Sequence, residues 1–261
     1  VNGLVGSEMC IRDRYTGAFS DKNVGTGKTV TITPSYTGAD VSNYSVTDHA
    51  TVTANITAKA LTVSGITASD KTYDGNAVAT LNTGSILYSG LINGDTFSGT
   101  YTGAFNNANA GTGKTVTITP SYTGADVSNY SVTDHSTITA DVAVKALTAT
   151  ASTANKTTYD GNAVATLNTS SILYSGLING DTFSGTYTGA FNNANAGTGK
   201  TVTITPTYSG DDVGNYSVTD HSTITADVAV KALTATASTA NKTYDGTTTA
   251  TTTLTFSGLV G

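Results

Sequence analysis

The sequence contains no tryptophan, one cysteine and one methionine, and only 11% of its residues are charged. A single cysteine excludes a disulfide framework within the chain and a zinc site built from several thiolates. The 12 lysines and arginines are outnumbered by 18 acidic residues. The resulting net charge of −6 argues against nucleic-acid binding, which requires clustered basic side chains. No stretch approaches the roughly 18 apolar residues of a membrane span, so no membrane insertion is expected within this sequence.

The rare residue types are concentrated in one segment. The cysteine, the methionine, the one glutamate and both arginines all lie within residues 7–14, SEMCIRDR. This segment resembles a translated sequencing-adapter remnant, and a divergent first strand is the alternative. We therefore exclude residues 7–14 from functional reasoning. The remainder lacks cysteine, arginine and glutamate, which is typical of a secreted or surface-exposed repeat protein that does not rely on disulfides.

What the sequence has in abundance is threonine, serine, alanine, glycine and asparagine, and tyrosine outnumbers phenylalanine 14 to 6. Threonine, valine and tyrosine favour pleated, half-exposed strands, whereas glycine and asparagine favour the turns between strands. The composition therefore predicts a β-rich protein.

A period of 86 residues organises the chain. It separates Tyr15, Tyr101 and Tyr187 (each opening YTGAF), Lys28, Lys114 and Lys200 (each closing GTGK), and His49, His135 and His221. A fixed period of this size indicates tandem modules. We place the boundaries before KALT, which predicts a partial repeat 1–58, complete repeats 59–144 and 145–230, and the start of a fourth repeat at 231–261. Because the repeats are interrupted at both ends, we expect the sequence to be part of a longer chain, and the lack of a signal peptide is uninformative.

The two complete repeats are nearly identical. Over 73 aligned positions, beginning at Tyr73 and Tyr159, they differ at five: Gly84/Ser170, Ser121/Thr207, Thr123/Ser209, Ala125/Asp211 and Ser128/Gly214. Comparison of the copies therefore cannot single out a functional site.

Alternation of apolar and polar residues predicts short strands. In residues 115–119, TVTIT, the valine and isoleucine face one side and the threonines the other. Two strands separated by a turn at TDHS are predicted within 130–144, and others at 96–104, 146–151 and 77–88. A helical turn fits only at 85–91. This pattern predicts all-β, sandwich-like modules in an extended array, and a mixed, β-grasp-like arrangement is the alternative.

Five short motifs recur in order at constant spacing: KTYDG (71–75), GDT (94–96), NAGTGKTV (109–116), NYS (129–131) and KALT (145–148). Together they resemble the YDG repeat of large bacterial surface proteins of the filamentous haemagglutinin and adhesin type. Residues 21–28, DKNVGTGK, match that family's pattern more closely still. The resemblance covers the chain outside 7–14 and implies a secreted, surface-displayed array with no catalytic machinery in the repeat. It does not imply a ligand.

The glycine-rich AGTGKT at 110–115 does not fit a phosphate-binding loop. The motif GxxxxGK[ST] requires glycine five positions before Gly113, where this sequence has Ala108, and the third repeat has Ala194. Such a loop also opens a helix, whereas TVTIT predicts a strand. We interpret the segment as a turn between strands.

Asp134, His135 and Ser136 contain the residue types of a hydrolase triad, but adjacent residues on a strand alternate faces and cannot form one. One histidine per repeat also falls short of a zinc site. Calcium remains an open alternative at Asp126 with Asp134, or at Asp211 with Asp212, although no DxDxD spacing is present. We assign no catalytic, cofactor-binding or metal-ligating residue.

The YDG signature itself, Tyr73-Asp74-Gly75, is interpreted as a turn. The aspartate bonds a downstream amide, the glycine supplies a positive φ, and the tyrosine ring packs at the edge of the module. A ligand-contacting tyrosine is the alternative. A Lys–Asn cross-link involving Lys114 or Lys145 is a further alternative that no residue pattern supports.

Two function hypotheses follow. The first is a structural stalk of a bacterial surface adhesin, in which each repeat contacts its neighbours and contributes weak multivalent contacts to host-surface glycan or protein. The second is a lectin-like module that binds glycan directly through exposed tyrosines. An enzyme is not expected, because a repeat contains no set of base, nucleophile and metal ligands. Buried tyrosines would favour the stalk, and exposed, clustered ones the lectin.

Overall fold

The structure, a computed structural model, describes residues 12–155 and 158–261, and within these ranges the chain is mainly β-strand with no α-helix. Three one-turn 3-10 helices lie at equivalent positions of successive repeats, at Val41–Asn43, Val127–Asn129 and Val213–Asn215. The all-β prediction is confirmed. None of the described residues forms a helix long and apolar enough to cross a membrane.

The strands follow the repeats. Residues 12–58 contain β1 (Arg12–Phe19), β2 (Gly25–Thr37) and β3 (Thr51–Ile56). Residues 59–144 contain β4 (Lys59–Ser64), β5 (Thr67–Ala68), β6 (Lys71–Thr72), β7 (Val78–Ala79), β8 (Leu81–Asn82), β9 (Leu87–Ser89), β10 (Ser98–Phe105), β11 (Gly111–Thr123), β12 (Tyr130–Thr133) and β13 (Thr137–Ala143). Residues 145–230 contain β14 (Lys145–Ala149), β15 (Thr153–Asn155), β16 (Val164–Asn168), β17 (Tyr174–Ser175), β18 (Ser184–Phe191), β19 (Gly197–Ser209), β20 (Tyr216–Thr219) and β21 (Thr223–Val228). The last segment contains β22 (Thr234–Thr239) and β23 (Thr252–Ser257).

Spatial contacts group the described residues into two compact units whose limits differ from those of the repeats. Unit 1 comprises residues 12–69, 78–105 and 115–139. Unit 2 comprises the remaining described residues, including 70–77, 106–114 and 140–144 of the second repeat. Three short segments of the second repeat are therefore grouped with the third repeat.

Unit 1 contains sheets that face each other across an apolar core. In one sheet β4 lies between β12, to which it is parallel, and β9, to which it is antiparallel. Facing it are β10 and β11, whose antiparallel register places Phe105 opposite Val116. Leu61 and Val63 of β4 pack with Ile118 of β11 and Tyr130 of β12. The strands β1, β2 and β3 form a separate antiparallel sheet.

Unit 2 contains the same arrangement in the third repeat. The three-stranded sheet has the order β17-β14-β20, and β14 is again parallel to its long-range partner β20. The five-stranded sheet has the order β15-β16-β18-β19-β21. Four residues of this sheet form a buried apolar cluster: Ala165, Phe191, Val202 and Val228. The facing sheets agree with the predicted sandwich. The parallel pairs, β4 with β12 and β14 with β20, make the three-stranded sheets mixed, as in the β-grasp-like alternative.

The alternating sequence explains which residues enter the core. In β11 and β19 the threonines are exposed, whereas Val116, Ile118, Val202 and Ile204 are buried. Successive side chains of a strand point to opposite faces, so TVTIT presents one apolar and one polar face. Predicted strands at 115–119, 96–104 and 146–151, and the two strands separated at TDHS, correspond to β10 to β14 and differ from them only at the strand ends.

Two predictions for the segment 77–91 were wrong. The expected strand at 77–88 is divided into β7, β8 and the start of β9, and a turn closed by a hydrogen bond from Ile86 N to Thr83 O lies between β8 and β9. The possible helical turn at 85–91 is instead this turn followed by β9. Most of the segment 7–14 lies outside the described residues, and residues 12–14 belong to β1.

We expect Leu147→Ala to destabilise the third repeat, because Leu147 is 0% exposed. Truncation of a buried leucine costs about 2–5 kcal/mol. The matched control is Leu173→Ala, since Leu173 is 70% exposed and surface substitutions cost about 0.5 kcal/mol or less. Urea denaturation followed by circular dichroism measures both variants. Equal midpoints for the two variants would contradict the core assignment.

Candidate functional site

The YDG turn of the second repeat meets side chains of the third repeat within unit 2. The hydroxyl of Tyr73 donates to Asp181 Oδ2 at 2.9 Å, and the hydroxyl of Tyr216 donates to the same oxygen at 2.5 Å. The two tyrosine rings lie edge to face, with centroids 5.6 Å apart. We call Tyr73, Asp181 and Tyr216 the tyrosine–aspartate cluster. Tyr73 is only 3% exposed.

Local structure explains how the YDG turn presents its tyrosine. Asp74 Oδ1 accepts hydrogen bonds from Asn76 N at 3.2 Å and from Lys71 Nζ at 2.7 Å. Gly75 has φ +78°, a left-handed conformation that L side chains rarely adopt. The backbone N–H of Tyr73 donates to Ala143 O at 2.8 Å, which fixes the turn beside the last strand of its own repeat. The predicted turn chemistry of the aspartate and the glycine is confirmed.

A second contact in unit 2 lies at the loop before GTGK. The backbone N–H of Ala110 donates to Asn215 Oδ1 at 2.9 Å. Lys114, the lysine of GTGK, holds this loop because its Nζ donates to Asn107 Oδ1 at 2.5 Å. We call the bond from the loop amide to the asparagine the asparagine contact. Asn215 is buried and lies directly before Tyr216 of the cluster.

Unit 1 contains the equivalent asparagine contact one repeat earlier. The backbone N–H of Val24 donates to Asn129 Oδ1 at 2.9 Å. Tyr130, next to Asn129, donates to Asp95 Oδ2 at 2.6 Å. Here Lys22 also bonds Asp95 at 3.0 Å and Asp126 at 3.2 Å. The Lys22 side chain is 70% exposed, so solvent screens these ion pairs and their stabilisation is small.

The electrostatics of these contacts follow from burial and hydrogen bonding. Burial, and then the hydrogen bond to Asp181, raise the pKa of Tyr216 from 10.0 to about 12. The same two causes raise the pKa of Tyr73 well above its ordinary value. In unit 1 the hydrogen bond from Tyr130, followed by that from Lys22, lowers the pKa of Asp95. Both tyrosines of the cluster therefore remain neutral donors at physiological pH.

The GTGK segment begins a strand, β11 in the second repeat and β19 in the third. A phosphate-binding loop would instead begin a helix. Gly113 has φ +58°, and its amide donates to Asp141 Oδ1 at 2.6 Å. Gly199 has the same φ and an equivalent bond to Asp227, and β19 carries a register shift between Gly197 and Lys200. The motif therefore forms a β-bulge whose amide is bonded by a carboxylate of the adjacent strand.

The residues of Asp134-His135-Ser136 do not converge. The Asp134 carboxylate accepts the hydroxyl proton of Tyr122, and Ser136 contributes its carbonyl oxygen to the backbone N–H of Ile118 at 2.9 Å. His135 is exposed. The turn between β12 and β13 therefore has a structural role, as expected.

Three of the carboxylates considered for calcium, those of Asp126, Asp134 and Asp212, accept hydrogen bonds from protein groups. Asp126 Oδ2 accepts from Thr96 N at 2.8 Å and from Thr96 Oγ1 at 3.1 Å, and Asp212 makes the same pair of bonds with Thr182. Within residues 12–155 and 158–261, no group of three or more histidine, cysteine, aspartate or glutamate side chains is placed to hold a metal. Calcium stays an open alternative that these contacts do not test.

Sequence reasoning missed the partners of Tyr73. In the sequence, Asp181 and the Asn215-Tyr216 pair belong only to the recurring motifs GDT and NYS, whose second-repeat counterparts lie at 94–96 and 129–131. Constant spacing showed that these residues recur, but not that they contact the YDG turn of the preceding repeat. Lys114 does contact an asparagine, Asn107, and this loop contact is a hydrogen bond.

We expect alkaline pH to weaken the cluster. A tyrosine whose folded pKa is raised contributes stability that is complete below the unfolded pKa of 10 and is lost as pH rises to about 12. Urea midpoints measured from pH 8 to pH 12 should therefore fall above pH 10. Other buried tyrosines contribute, so Tyr216→Phe should reduce the slope without abolishing it. An unchanged slope in Tyr216→Phe would contradict the assignment.

Comparison with known proteins identifies the repeat. A family model described as the YDG domain matches residues 1–54, 57–140 and 143–226. No curated protein and no solved structure matches the chain. The three matches cover most of the sequence and recur with the period of the motifs and of the asparagine contacts. The chain belongs to the YDG domain family.

Proposed function

We propose that these repeats are structural spacers of a secreted bacterial surface adhesin, which hold an adhesive region away from the cell or contribute weak, multivalent contacts to it. The observation that supports this proposal is that tyrosine and aspartate side chains, which could bind a ligand, instead bond other groups of the same chain. Tyr73, Tyr130 and Asp181 bond other groups of the array, and Tyr122 bonds Asp134. A repeat whose aromatic and acidic groups are engaged internally is suited to a structural role.

The proposal includes location and partners. The array lies outside the cell at the bacterial surface, where a chain without disulfides depends on its strands and core for stability. Its principal partners are neighbouring repeats of the same chain, and host-surface glycan or protein are secondary partners. No enzymatic activity and no cofactor are part of the proposal, and calcium is an effector to be tested.

The lectin-like alternative requires exposed, clustered tyrosines beside aspartate and asparagine. In the second repeat, Tyr88, Tyr101, Tyr122 and Tyr130 pack on the core of unit 1. Aromatic rings that bind sugars must present a face to solvent, whereas these rings contact Phe97 and one another. This burial favours the spacer over the lectin.

A display experiment tests the spacer directly. The chain is anchored at a bacterial surface with an epitope tag after Gly261, and one or two further copies of residues 59–144 are inserted. The distance of the tag from the membrane, measured by super-resolution imaging, should increase by equal increments per repeat. The control inserts flexible Gly/Ser linkers with the same number of residues. The end-to-end distance of such a linker grows only as the square root of its number of residues, to about 50 Å for one insert and about 70 Å for two.

Two outcomes would contradict the spacer. One is an increase in tag distance no greater than that of the flexible linkers. The other is saturable binding of the full chain on a glycan array, with or without calcium, that is lost when Tyr15 and Tyr44 become alanine, because both rings are substantially exposed. The second result would establish the lectin-like function instead.

A further inference from the structure

The YDG turn has the same geometry whether or not its tyrosine is buried. The turn at 244–246 repeats the bonds of the turn at 73–75: Lys242 Nζ donates to Asp245 Oδ1 at 2.9 Å, and Thr247 N donates to the same oxygen at 3.0 Å. Gly246 has φ +72°, close to the +78° of Gly75. Yet Tyr244 is 95% exposed and Tyr73 is 3% exposed. The lysine, the aspartate and the glycine therefore build the turn without the tyrosine.

The tyrosine side chain is directed to the following repeat. Tyr73 reaches Asp181 and Tyr216, both more than 100 residues away in the sequence and both in the third repeat. Its ring is an apolar body with one polar tip, and the carboxylate satisfies that tip. A buried hydroxyl without a partner would be costly, so Asp181 is what permits the ring to be buried here.

The glycine of the turn is also needed by the following repeat. A β-carbon at Gly75 would lie 3.0 Å from Ile178 Cγ2 of the third repeat. At Gly161, the glycine of the next YDG turn, a β-carbon would lie 2.6 Å from Val260 Cγ1 of the fourth. Ile178 and Val260 occupy the same place in the segments GLI and GLV. The close approach therefore occurs twice within unit 2, with two different pairs of repeats.

The asparagine contact supplies a third, independent element. Asn129 bonds the amide of Val24 in unit 1, and Asn215 bonds the amide of Ala110 in unit 2, each at 2.9 Å. In each case the asparagine belongs to the repeat that follows the loop. An amide oxygen that accepts from a backbone N–H fixes position without depending on the loop side chain, and the loop residue does differ, valine in one repeat and alanine in the other.

From these contacts we infer that the YDG motif is the docking element by which one repeat recognises the next. Its tyrosine is the anchor, its glycine permits close approach, and its partner is the face of the following copy formed by the aspartate of GDT and the tyrosine of NYS. The asparagine of NYS supports the same docking by bonding the loop before GTGK. This inference deepens the proposed spacer function. Only the purpose of joining the repeats rests on that function, because the contacts themselves are present in the structure. The recognised chemistry is a carboxylate beside an asparagine and a tyrosine, which a second YDG repeat provides.

Hydrogen exchange of the chain of residues 1–261 tests the inference. In Tyr73→Phe only the hydroxyl is lost, so the ring still fills its site and the variant is expected to fold. Loss of one hydrogen bond to a charged group should speed exchange of the Ile178 and Ala110 amides about tenfold or more. Both amides bond groups of the third repeat, Tyr216 Oη and Asn215 Oδ1. A tyrosine that served only its own turn would leave them unchanged.

Tyr244→Phe is the matched control, because it makes the same change in the same motif where the ring is exposed. It should leave exchange at Ile178 and Ala110 as in the unaltered chain. Asp181→Asn, which weakens the acceptor, should act on the same amides, and its effect should not add to that of Tyr73→Phe because the two residues share one contact.

The inference is overturned if Tyr73→Phe and Tyr244→Phe give the same exchange at Ile178 and Ala110, or if the Tyr73 and Asp181 effects are fully additive. Neither result bears on tag distance or glycan binding, so failure of the docking role can be distinguished from failure of the spacer function.

Discussion

The hydrogen bond between a tyrosine hydroxyl and an aspartate carboxylate is the interaction on which this structure depends. The chain has no tryptophan, so tyrosine supplies much of the large side-chain volume of each repeat. A buried ring stabilises the core, but its hydroxyl must be paired. Within the second repeat the hydroxyl of Tyr122 donates to Asp134, and within the third repeat that of Tyr208 donates to Asp220. At the face that the preceding repeat approaches, Tyr130 donates to Asp95 and Tyr216 to Asp181.

The same chemistry then connects copies. Asp181 already accepts from Tyr216 of its own repeat, and its second bond goes to Tyr73 of the preceding one. One carboxylate therefore serves both the fold of a repeat and its attachment. Because one carboxylate accepts both bonds, a module with few charged residues can form an ordered contact with its neighbour. Near-identical copies can be placed in series because each copy carries both the YDG turn and the face that receives it.

Motifs that suggest chemistry have mainly structural roles in this chain. The lysine of GTGK holds the loop that the asparagine of the next repeat bonds, and the second glycine of the same motif donates its amide to Asp141. Asp134 pairs with Tyr122 instead of with His135. A glycine, lysine or aspartate at fixed spacing is thus as useful to a short strand and its turns as to a ligand, and only the positions of its bonding partners distinguish the two.

Sequence alone determined the 86-residue period, the all-β class, most strand positions and the chemistry of the YDG turn. These properties depend on local preferences: the period-two alternation of TVTIT, and the capacity of Asp74 and Gly75 to form a turn with their immediate neighbours. The tertiary structure alone decided that β4 is parallel to β12, that residues 77–88 are divided, and that Tyr73 is buried by Asp181 and Tyr216. Those features join residues far apart in the sequence, and near-identical repeats offer several equivalent partners for each residue. The choice among them depends on which chain segments approach one another in space.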